Sequence, residues 1–304
     1  MPSNRRFPLL LIGAFIALYL VWGSTYLAIR IGVESWPPLM MAGTRFVIAG
    51  SLMYAFLRWR GVPSPTWAEW KAAAIIGFLL LGCGNGGVTL AEHAGVASGV
   101  AALAIATMPL FTLLFGLFWG NRTTNLEWAG IVLGLIGIGL LNLGSNMQAS
   151  PYGAAMVIFA SAAWAFGSVL SKYLPLPKGP MASGAEMITA GVMLLLASAL
   201  SGERLEHMPT AAGWGALLYL VVFGSIVAFS AYMYLLKNVR PAAATSYAYV
   251  NPAVAVLLGV LFAGETIGTE ECLAMVVIIS AVMLIGLPQW RKPQAPEVAS
   301  ARTH

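Results

Sequence analysis

The sequence carries very little charge for its length. Of 304 residues only 9% are charged, and all 11 acidic residues are glutamates, because the sequence contains no aspartate. Soluble domains average about 25% charged residues, and so few charges do not cover the surface of a water-soluble globule of this size. The composition therefore argues against a soluble enzyme and against a disordered or fibrous chain. It points to a polytopic membrane protein.

Reactive side chains are scarce as well. The two cysteines, Cys83 and Cys272, lie inside apolar runs, and there are only three histidines, so nothing supports a disulfide and no metal-ligand cluster can be assembled. Residues 82–87 spell Gly-x-Gly-x-x-Gly, but they lack the preceding strand that a dinucleotide-binding fold requires. The sequence therefore predicts no metal, no cofactor and no enzymatic activity. Because no nucleotide-binding motif appears, any transport is expected to draw on a gradient.

Apolar residues are abundant and make up 59% of the chain. A membrane-spanning helix needs about 20 mostly apolar residues, and ten runs of this kind follow one another with short gaps. We therefore predict an all-α integral membrane protein with ten transmembrane helices. The predicted helices cover residues 8–31, 38–57, 69–88, 95–118, 126–143, 152–172, 181–200, 211–236, 242–262 and 270–287.

The basic residues are divided unequally between the predicted loops. With a cytoplasmic N-terminus, thirteen of the 16 Lys and Arg residues fall on the cytoplasmic side, and Arg204 alone falls in a loop on the other side. This positive-inside bias orients the helices, and it explains the net charge of +5 without nucleic acid. Both termini are therefore predicted to be cytoplasmic. The thirteen are Arg5, Arg6, Arg58, Arg60, Lys71, Arg122, Lys172, Lys178, Lys237, Arg240, Arg291, Lys292 and Arg302.

The two halves of the chain resemble each other. Residues 41–50 align with residues 182–191 at an offset of 141, and Met108-Pro109 aligns with Asn251-Pro252 at an offset of 143. This predicts two homologous repeats, 1–146 and 147–288, followed by a disordered cytoplasmic tail, 289–304. Because five helices per repeat is an odd number, the second repeat crosses the membrane in the opposite sense. Inverted repeats are typical of secondary transporters, whose substrate sites lie near the middle of the membrane.

Three short motifs resemble those of a known family. They are Trp22-Gly23-Ser24-Thr25-Tyr26 in helix 1, Arg45-Phe46 in helix 2 and residues 246–252 in helix 9. The sequence resembles the ten-helix EamA family of the drug/metabolite transporter superfamily over residues 8–287. The resemblance implies two five-helix repeats around a central cavity, formed mainly by helices 1, 3, 4, 6, 8 and 9. It also implies export of small organic solutes, such as amino acids, across a bacterial inner membrane.

Aromatic and polar residues well inside the predicted helices are the candidates for lining the cavity. Trp22 and Trp164 are repeat-equivalent, and they lie away from the helix ends where the other tryptophans fall. They either pack in the core or form two aromatic walls of a cavity. Asn85 lies among four glycines, which allow close packing or local unwinding. The candidate lining residues are Trp22, Ser24, Asn85, Trp164, Ser168, Tyr232, Tyr247 and Asn251.

Two charged residues fall inside predicted helices, and they are repeat-equivalent. A charge within the membrane needs a partner or a polar cavity. Arg45 lies near the outer surface and Glu186 near the inner one, so they are not expected to pair with each other. Each either snorkels and caps local backbone or acts as a gate near one mouth of the pathway. A further possibility is that Glu186 couples transport to protons.

Two prolines fall in the middle of predicted helices at equivalent places. Pro109 lies in helix 4 and Pro252 in helix 9. A proline removes a backbone hydrogen bond and bends a helix. These kinks are interpreted either as hinges beside the substrate or as fixed bends.

The sequence predicts a secondary transporter that exports small metabolites, in particular aromatic or apolar amino acids, by alternating access. The alternative within transport is a broad-specificity, proton-coupled drug exporter, in which Glu186 would meet cationic drugs. A different class, an integral-membrane lipid enzyme or a channel, lacks the catalytic cluster or the oligomeric pore that it needs. The expected partners are a small-molecule substrate and the lipid bilayer, with no nucleic acid. The protein is expected to act as a monomer or a homodimer in the bacterial inner membrane.

Overall fold

The computed structural model describes residues 6–93, 105–141, 151–251, 253–254 and 269–291. Within these ranges every regular element is a helix. The helices are α1 (Arg6–Val33), α2 (Pro38–Trp59), α3 (Trp67–Gly77, Phe78–Gly86 and Gly87–His93), α4 (Met108–Phe118), α5 (Asn125–Leu141), α6 (Pro151–Leu170), α7 (Pro180–Leu200), α8 (Ala211–Tyr219, Leu220–Val227 and Ala228–Asn238), α9 (Pro241–Ala244 with residues 247–251 and 253–254) and α10 (Thr269–Arg291).

Long apolar helices dominate the described part of the chain. Four of them are long and apolar enough to cross a membrane, namely Pro38–Trp59, Trp67–Ala91, Pro180–Leu200 and Ala211–Asn238. Shorter apolar helices lie at Leu9–Thr25, Met108–Phe118, Asn125–Leu140, Ala155–Leu170 and Cys272–Ile285. This agrees with an all-helical membrane protein. The count of ten crossings and the side on which the termini lie stay predictions.

α2 and α7 begin and end in the same way. Each has a proline in its first turn, Pro38 and Pro180, where the missing backbone N–H costs no helical hydrogen bond. Each is followed by a glycine with positive φ, Gly61 at 80° and Gly202 at 78°, a conformation that glycine adopts without strain. The two glycines are 141 residues apart, which is the offset of the sequence repeat.

α3 and α8 share an irregularity. In each, an α-helical start passes into a π-helical segment, Phe78–Gly86 in α3 and Leu220–Val227 in α8, and then returns to α-helix. In a π-helix each N–H bonds to a carbonyl five residues back, so each turn holds more residues than the 3.6 of an α-helix. Both segments lie at corresponding places in the two halves, and π-helical turns are frequent at functional sites.

α2 and α7 pack closely through glycines. A Cβ placed on Gly50 would lie 2.8 Å from the carbonyl oxygen of Gly184, and one placed on Gly191 would lie 3.0 Å from that of Gly43. By the offset of 141, Gly43 corresponds to Gly184 and Gly50 to Gly191. Each glycine therefore meets the counterpart of the other, in antiparallel order, as at a two-fold symmetric interface. α5 also packs closely on α10 through glycines, since Gly130 faces Ile285 and Gly137 faces Ile278.

One glutamate ties the end of α7 to the start of α2. Glu203 accepts hydrogen bonds from the backbone N–H groups of Leu39 (3.0 Å) and Met40 (2.8 Å) and from the hydroxyl of Ser198 (2.7 Å). The N-terminal N–H groups of a helix lack partners within the helix, so a carboxylate there satisfies them and favours the helix dipole.

Replacing Glu203 with alanine is expected to lower the free energy of unfolding by about 1–2 kcal/mol, the usual cost of losing a helix cap. Thermal unfolding in detergent measures the change. Glu206→Ala, at an exposed position of the same loop, is the control and should leave the melting temperature unchanged. Equal melting temperatures for the two variants would contradict this role for Glu203.

The structure corrects the interpretation of Pro109. Residues 106–107 form a turn, α4 begins at Met108, and Pro109 lies in its first turn. It therefore does not kink the middle of a helix, because a first-turn proline breaks no helical hydrogen bond. Pro252, its repeat counterpart, lies outside the described residues.

Candidate functional site

A cavity lies among helices of both halves of the chain. It encloses about 670 Å³ of space between atoms, part of it open to solvent. Its lining comes from α1, α2, α3, α6, α8 and α9 and from the residues at the start of α4. Among the described residues the lining is mostly apolar and includes one charged residue, which is an arginine. The lining residues are Trp22, Thr25, Ile29, Arg45, Phe46, Leu81, Gly84, Asn85, Val88, Ile105, Met108, Ala160, Ser161, Trp164, Gly224, Phe229, Tyr247 and Asn251.

Three aromatic rings form one contiguous part of the cavity lining. The rings of Trp22 and Trp164 meet edge to face, with centroids 5.5 Å apart and an interplanar angle of 82°. The ring centroid of Tyr247 lies 4.6 Å from that of Trp22. The indole N–H of Trp22 donates to the carbonyl oxygen of Gly224 at 3.0 Å, which fixes the ring against the π-helical segment of α8. We call Trp22, Trp164 and Tyr247 the aromatic floor.

Tyr232 holds the aromatic floor in place through hydrogen bonds. It is fully buried, and its hydroxyl accepts a hydrogen bond from the indole N–H of Trp164 at 2.9 Å. Its hydroxyl also lies 2.5 Å from the hydroxyl of Ser168. Because Ser168 further donates to the carbonyl oxygen of Trp164 at 2.6 Å, the three residues form one closed network. Tyr232 and Ser168 therefore position the floor and do not line the cavity.

Arg45 projects into the cavity from α2. It is only 4% exposed, and its Nε donates to the hydroxyl of Ser225 at 2.7 Å. No carboxylate among the described residues forms an ion pair with it. Its Nη2 lies beside Gly224, where an added Cβ would stand 2.9 Å away, so the glycine leaves room for the guanidinium. A cation buried without a counter-ion is costly unless an anionic group reaches it.

Two asparagines bring amide oxygens to the same cavity. The Oδ1 atoms of Asn85 in α3 and Asn251 in α9 are both buried and have no hydrogen-bond partner among the described residues. Buried carbonyl oxygens are nearly always paired. These two oxygens are therefore acceptors that no described donor satisfies.

The remaining sequence candidates lie elsewhere. Ser24 faces away from the cavity and bonds the carbonyl oxygen of Val21 and the hydroxyl of Tyr219. Glu186 is fully buried in α7 and does not line the cavity; its backbone packs on Gly77 of α3. Neither of its carboxyl oxygens has a hydrogen-bond partner among the described residues. The structure thus brings together Trp22, Arg45, Asn85, Trp164, Tyr247 and Asn251 from the sequence candidates.

Polar contacts join the two halves at one end of the bundle. The carboxylate of Glu127, at the start of α5, pairs with Arg240 at 2.9 Å, just before α9. Arg240 also donates to the carbonyl oxygen of Arg122. Nearby, the ammonium of Lys172 donates to the carbonyl oxygen of Val239 at 2.9 Å, and burial together with the charge of Arg240 lowers the pKa of Lys172 to about 8.

Sequence reasoning missed part of this geometry. The Glu127–Arg240 pair was not predicted, although Thr124-x-x-Glu127 has the spacing of a capping box and the structure contains that box. Ser225 and Gly224, which hold Arg45, carry no sequence signal beyond their place in α8. Met108 accepts a hydrogen bond from the Tyr247 hydroxyl at 3.3 Å. It was not among the predicted lining residues, although it directly precedes Pro109.

Comparison with known proteins gives consistent matches. The EamA-like transporter family matches the chain over residues 9–143 and again over residues 151–287. The inner membrane transporter YedA of Escherichia coli strain K12 is 54% identical over 289 residues, which cover 95% of this chain and 94% of YedA. The transporter YwfM of Bacillus subtilis is 27% identical over 305 residues, which cover 98% of this chain and 99% of YwfM. A crystal structure with 20% identity shares the fold, with a TM-score of 0.75 over 92% of this chain and 98% of the other.

These matches confirm the family that the motifs at Trp22 and Arg45 indicated. A family match over most of the chain, together with a 54% identical relative that is an inner membrane transporter, points to a transporter and not to an enzyme. The apolar helices agree with a multi-pass protein of the bacterial inner membrane. The chain belongs to the EamA-like transporter family.

Proposed function

We propose that the chain is a secondary transporter that exports small amino-acid-like metabolites by alternating access. The observation that supports this most is the cavity, which joins an aromatic floor to an arginine that has no carboxylate partner, and two amide oxygens that have no hydrogen-bond partner, among the described residues. Apolar walls with a few convergent polar groups are the usual form of a small-molecule site. A free amino acid with an aromatic or apolar side chain likewise combines an apolar surface with a few polar groups.

The proposal includes two inverted five-helix repeats with both termini in the cytoplasm. The double family match, 9–143 and 151–287, supports two related halves. So does the packing of α2 on α7, in which equivalent residues exchange places across the contact. In an inverted repeat the substrate site lies between the halves, and the cavity takes its lining from both.

The charge in the cavity favours this substrate class over cationic drugs. A cationic drug would call for a carboxylate in the cavity, and Glu186 does not line it. Arg45, which does line it, would repel a cation across a medium of low dielectric constant. A phosphate would be expected to meet a cluster of Lys or Arg, and only one arginine is present in the described lining.

The test is counterflow of labelled amino acids in liposomes that contain the purified protein, with and without a pH gradient. We expect uptake of labelled aromatic and apolar amino acids into vesicles loaded with the unlabelled compound. No uptake of any amino acid into sealed, loaded vesicles would contradict the proposal. A unitary current far above the turnover of a carrier would instead indicate a channel.

Within this function, Glu186 is proposed to couple export to protons. The carboxyl oxygens of Glu186 have no partner among the described residues. An ionisable side chain inside the membrane costs free energy, and it is by default read as part of a functional site. Its electrostatic neighbours are Lys237 and Tyr232, both on α8.

Glu186→Gln is expected to keep counterflow at the wild-type rate, because exchange moves no net proton. It is expected to abolish accumulation driven by a pH gradient, since an amide cannot carry the proton. Glu206→Gln, in an exposed loop, is the matched control for both measurements. Undiminished gradient-driven accumulation by Glu186→Gln would reduce Glu186 to a structural charge.

A further inference from the structure

Arg45 is built into the cavity as an open anion site. Its Nε is held by Ser225 at 2.7 Å, so the guanidinium has a fixed direction. Its Nη2 rests against the bare backbone of Gly224, where a Cβ would fill the space. A guanidinium fixed in this way presents terminal N–H groups in the fork that binds a carboxylate through two parallel hydrogen bonds.

The acceptors in the cavity are of a different kind. The Oδ1 atoms of Asn85 and Asn251 are buried and unpaired among the described residues, and neither bears a charge. An ammonium group carries three N–H donors and no acceptor. Two neutral oxygens therefore complement an ammonium without the strong attraction that a carboxylate in the cavity would add for other cations.

The surface between these polar groups is aromatic and apolar. Trp22 and Trp164 present the floor, and Phe46, Met108 and Phe229 add further apolar lining. A side chain that is aromatic or aliphatic can bury its surface there, at about 25 cal/mol for each Å² removed from water. These apolar residues offer no partner to a second charged group.

We propose that Arg45, positioned by Ser225, binds the carboxylate of the substrate and that Asn85 and Asn251 bind its amino group, so that the cavity selects a small zwitterion with an apolar side chain. This assignment rests on the proposed function and specifies which end of the substrate each group takes. Arg45 and the two asparagines are binding residues, and Ser225 is a positioning residue.

The first test uses the wild-type chain in liposomes and labelled phenylalanine as the probe. Unlabelled phenylalanine, phenylalaninamide and 3-phenylpropionate are compared as competitors; the second lacks the carboxylate and the third lacks the amine. Losing a hydrogen-bonded charge pair costs about 1.5–3 kcal/mol, or roughly 10–150-fold in affinity. We therefore expect phenylalaninamide to compete at least tenfold more weakly than phenylalanine. Equal competition by the two would overturn the proposal.

The second test uses variants of the binding residues. Arg45→Met should lose the preference for phenylalanine over phenylalaninamide, and Arg45→Lys should keep part of it, because lysine retains the charge without the fork. Asn251→Leu should lose the preference for phenylalanine over 3-phenylpropionate. Arg204→Met, in an exposed loop, should keep both preferences. Wild-type preferences in folded Arg45→Met protein would contradict the role of Arg45.

A binding measurement separates this assignment from the proposed function. If no amino acid is transported, the function fails, and the carboxylate site is then tested by thermal unfolding of the purified protein with 3-phenylpropionate and with phenethylamine. A ligand that binds the folded state raises the melting temperature. Stabilisation of the wild type by 3-phenylpropionate alone, absent in Arg45→Met, would support the site. Equal effects of the two compounds, or none, would overturn it.

Discussion

Under the proposed alternating access, replacing Tyr232 with phenylalanine is expected to favour a state in which the aromatic floor opens. The indole N–H of Trp164 would lose its acceptor, which lies at 2.9 Å, while Ser168 would keep its bond to the Trp164 carbonyl oxygen. A buried donor left unpaired costs about 1–3 kcal/mol. The cost falls only on the state in which the floor is closed, since the indole N–H meets water when the floor opens. The open population should therefore rise about 5–150-fold.

Cysteine accessibility measures this shift. Val239→Cys is the reporter, because Val239 is 7% exposed and its carbonyl oxygen accepts from Lys172 at the end of the bundle where Glu127 pairs with Arg240. The natural Cys83 and Cys272 are first replaced by alanine. A water-soluble maleimide should label the reporter at least about fivefold faster with Tyr232→Phe.

The control lies two residues away on the same helix. Tyr234 borders an outer groove between α1 and α8, away from the hydrogen bonds that join Trp164, Ser168 and Tyr232. Tyr234→Phe should therefore leave the labelling rate unchanged. An unchanged rate in Tyr232→Phe as well would show that its hydrogen bonds do not hold the floor closed.

Gly191→Ala is expected to destabilise the fold through α2 and α7. The new Cβ would lie 2.7 Å from the backbone nitrogen of Val47 and 3.0 Å from the carbonyl oxygen of Gly43. Both atoms belong to backbone, so α2 must move away. Overpacking of this kind costs about 1–3 kcal/mol, and Gly191→Leu should prevent the accumulation of folded protein. Thermal unfolding and size-exclusion chromatography in detergent measure the two outcomes.

Gly139→Ala supplies a control with the opposite sign. Gly139 lies in α5, and a Cβ added there would meet no described atom within 4 Å. Alanine favours a helix over glycine by about 1 kcal/mol, so this variant should be unchanged or slightly more stable. Equal stability of the two alanine variants would show that α2 and α7 tolerate separation.

Most helices could be predicted from the sequence because burial in lipid requires long apolar runs. The described helices start and end within a few residues of the predicted runs, apart from the turns at residues 106–107 and 245–246. The predicted start of helix 4 and the predicted end of helix 9 lie outside the described residues. The pairing of Trp22 with Trp164 at the cavity was also within reach, because the repeat aligned them. The sequence carries no comparable signal for which polar side chains of different helices lie at the same depth in the membrane and form hydrogen bonds with each other.

The failures have a common physical cause. Ser225 and Tyr232 are seven residues apart, a spacing that puts two residues on one face of a regular α-helix, yet Ser225 bonds Arg45 and Tyr232 bonds Ser168. The π-helical segment Leu220–Val227 lies across this stretch, so the period of 3.6 residues no longer applies there. The same argument applies to α3. A helical wheel drawn from the sequence therefore misplaces polar side chains in α3 and α8, two of the helices that border the cavity.

The packing of α2 on α7 also bears on how such a chain is assembled. Each glycine of α2 meets the counterpart of another in α7, in antiparallel order, so a first half expressed alone would carry a surface that fits a second copy of itself. That copy would have to insert into the membrane upside down. In the proposed topology the unequal distribution of Lys and Arg gives each half a single orientation. The first half alone could then not supply both helices of the contact in the orientations that it needs. One continuous chain supplies one α2 and one α7.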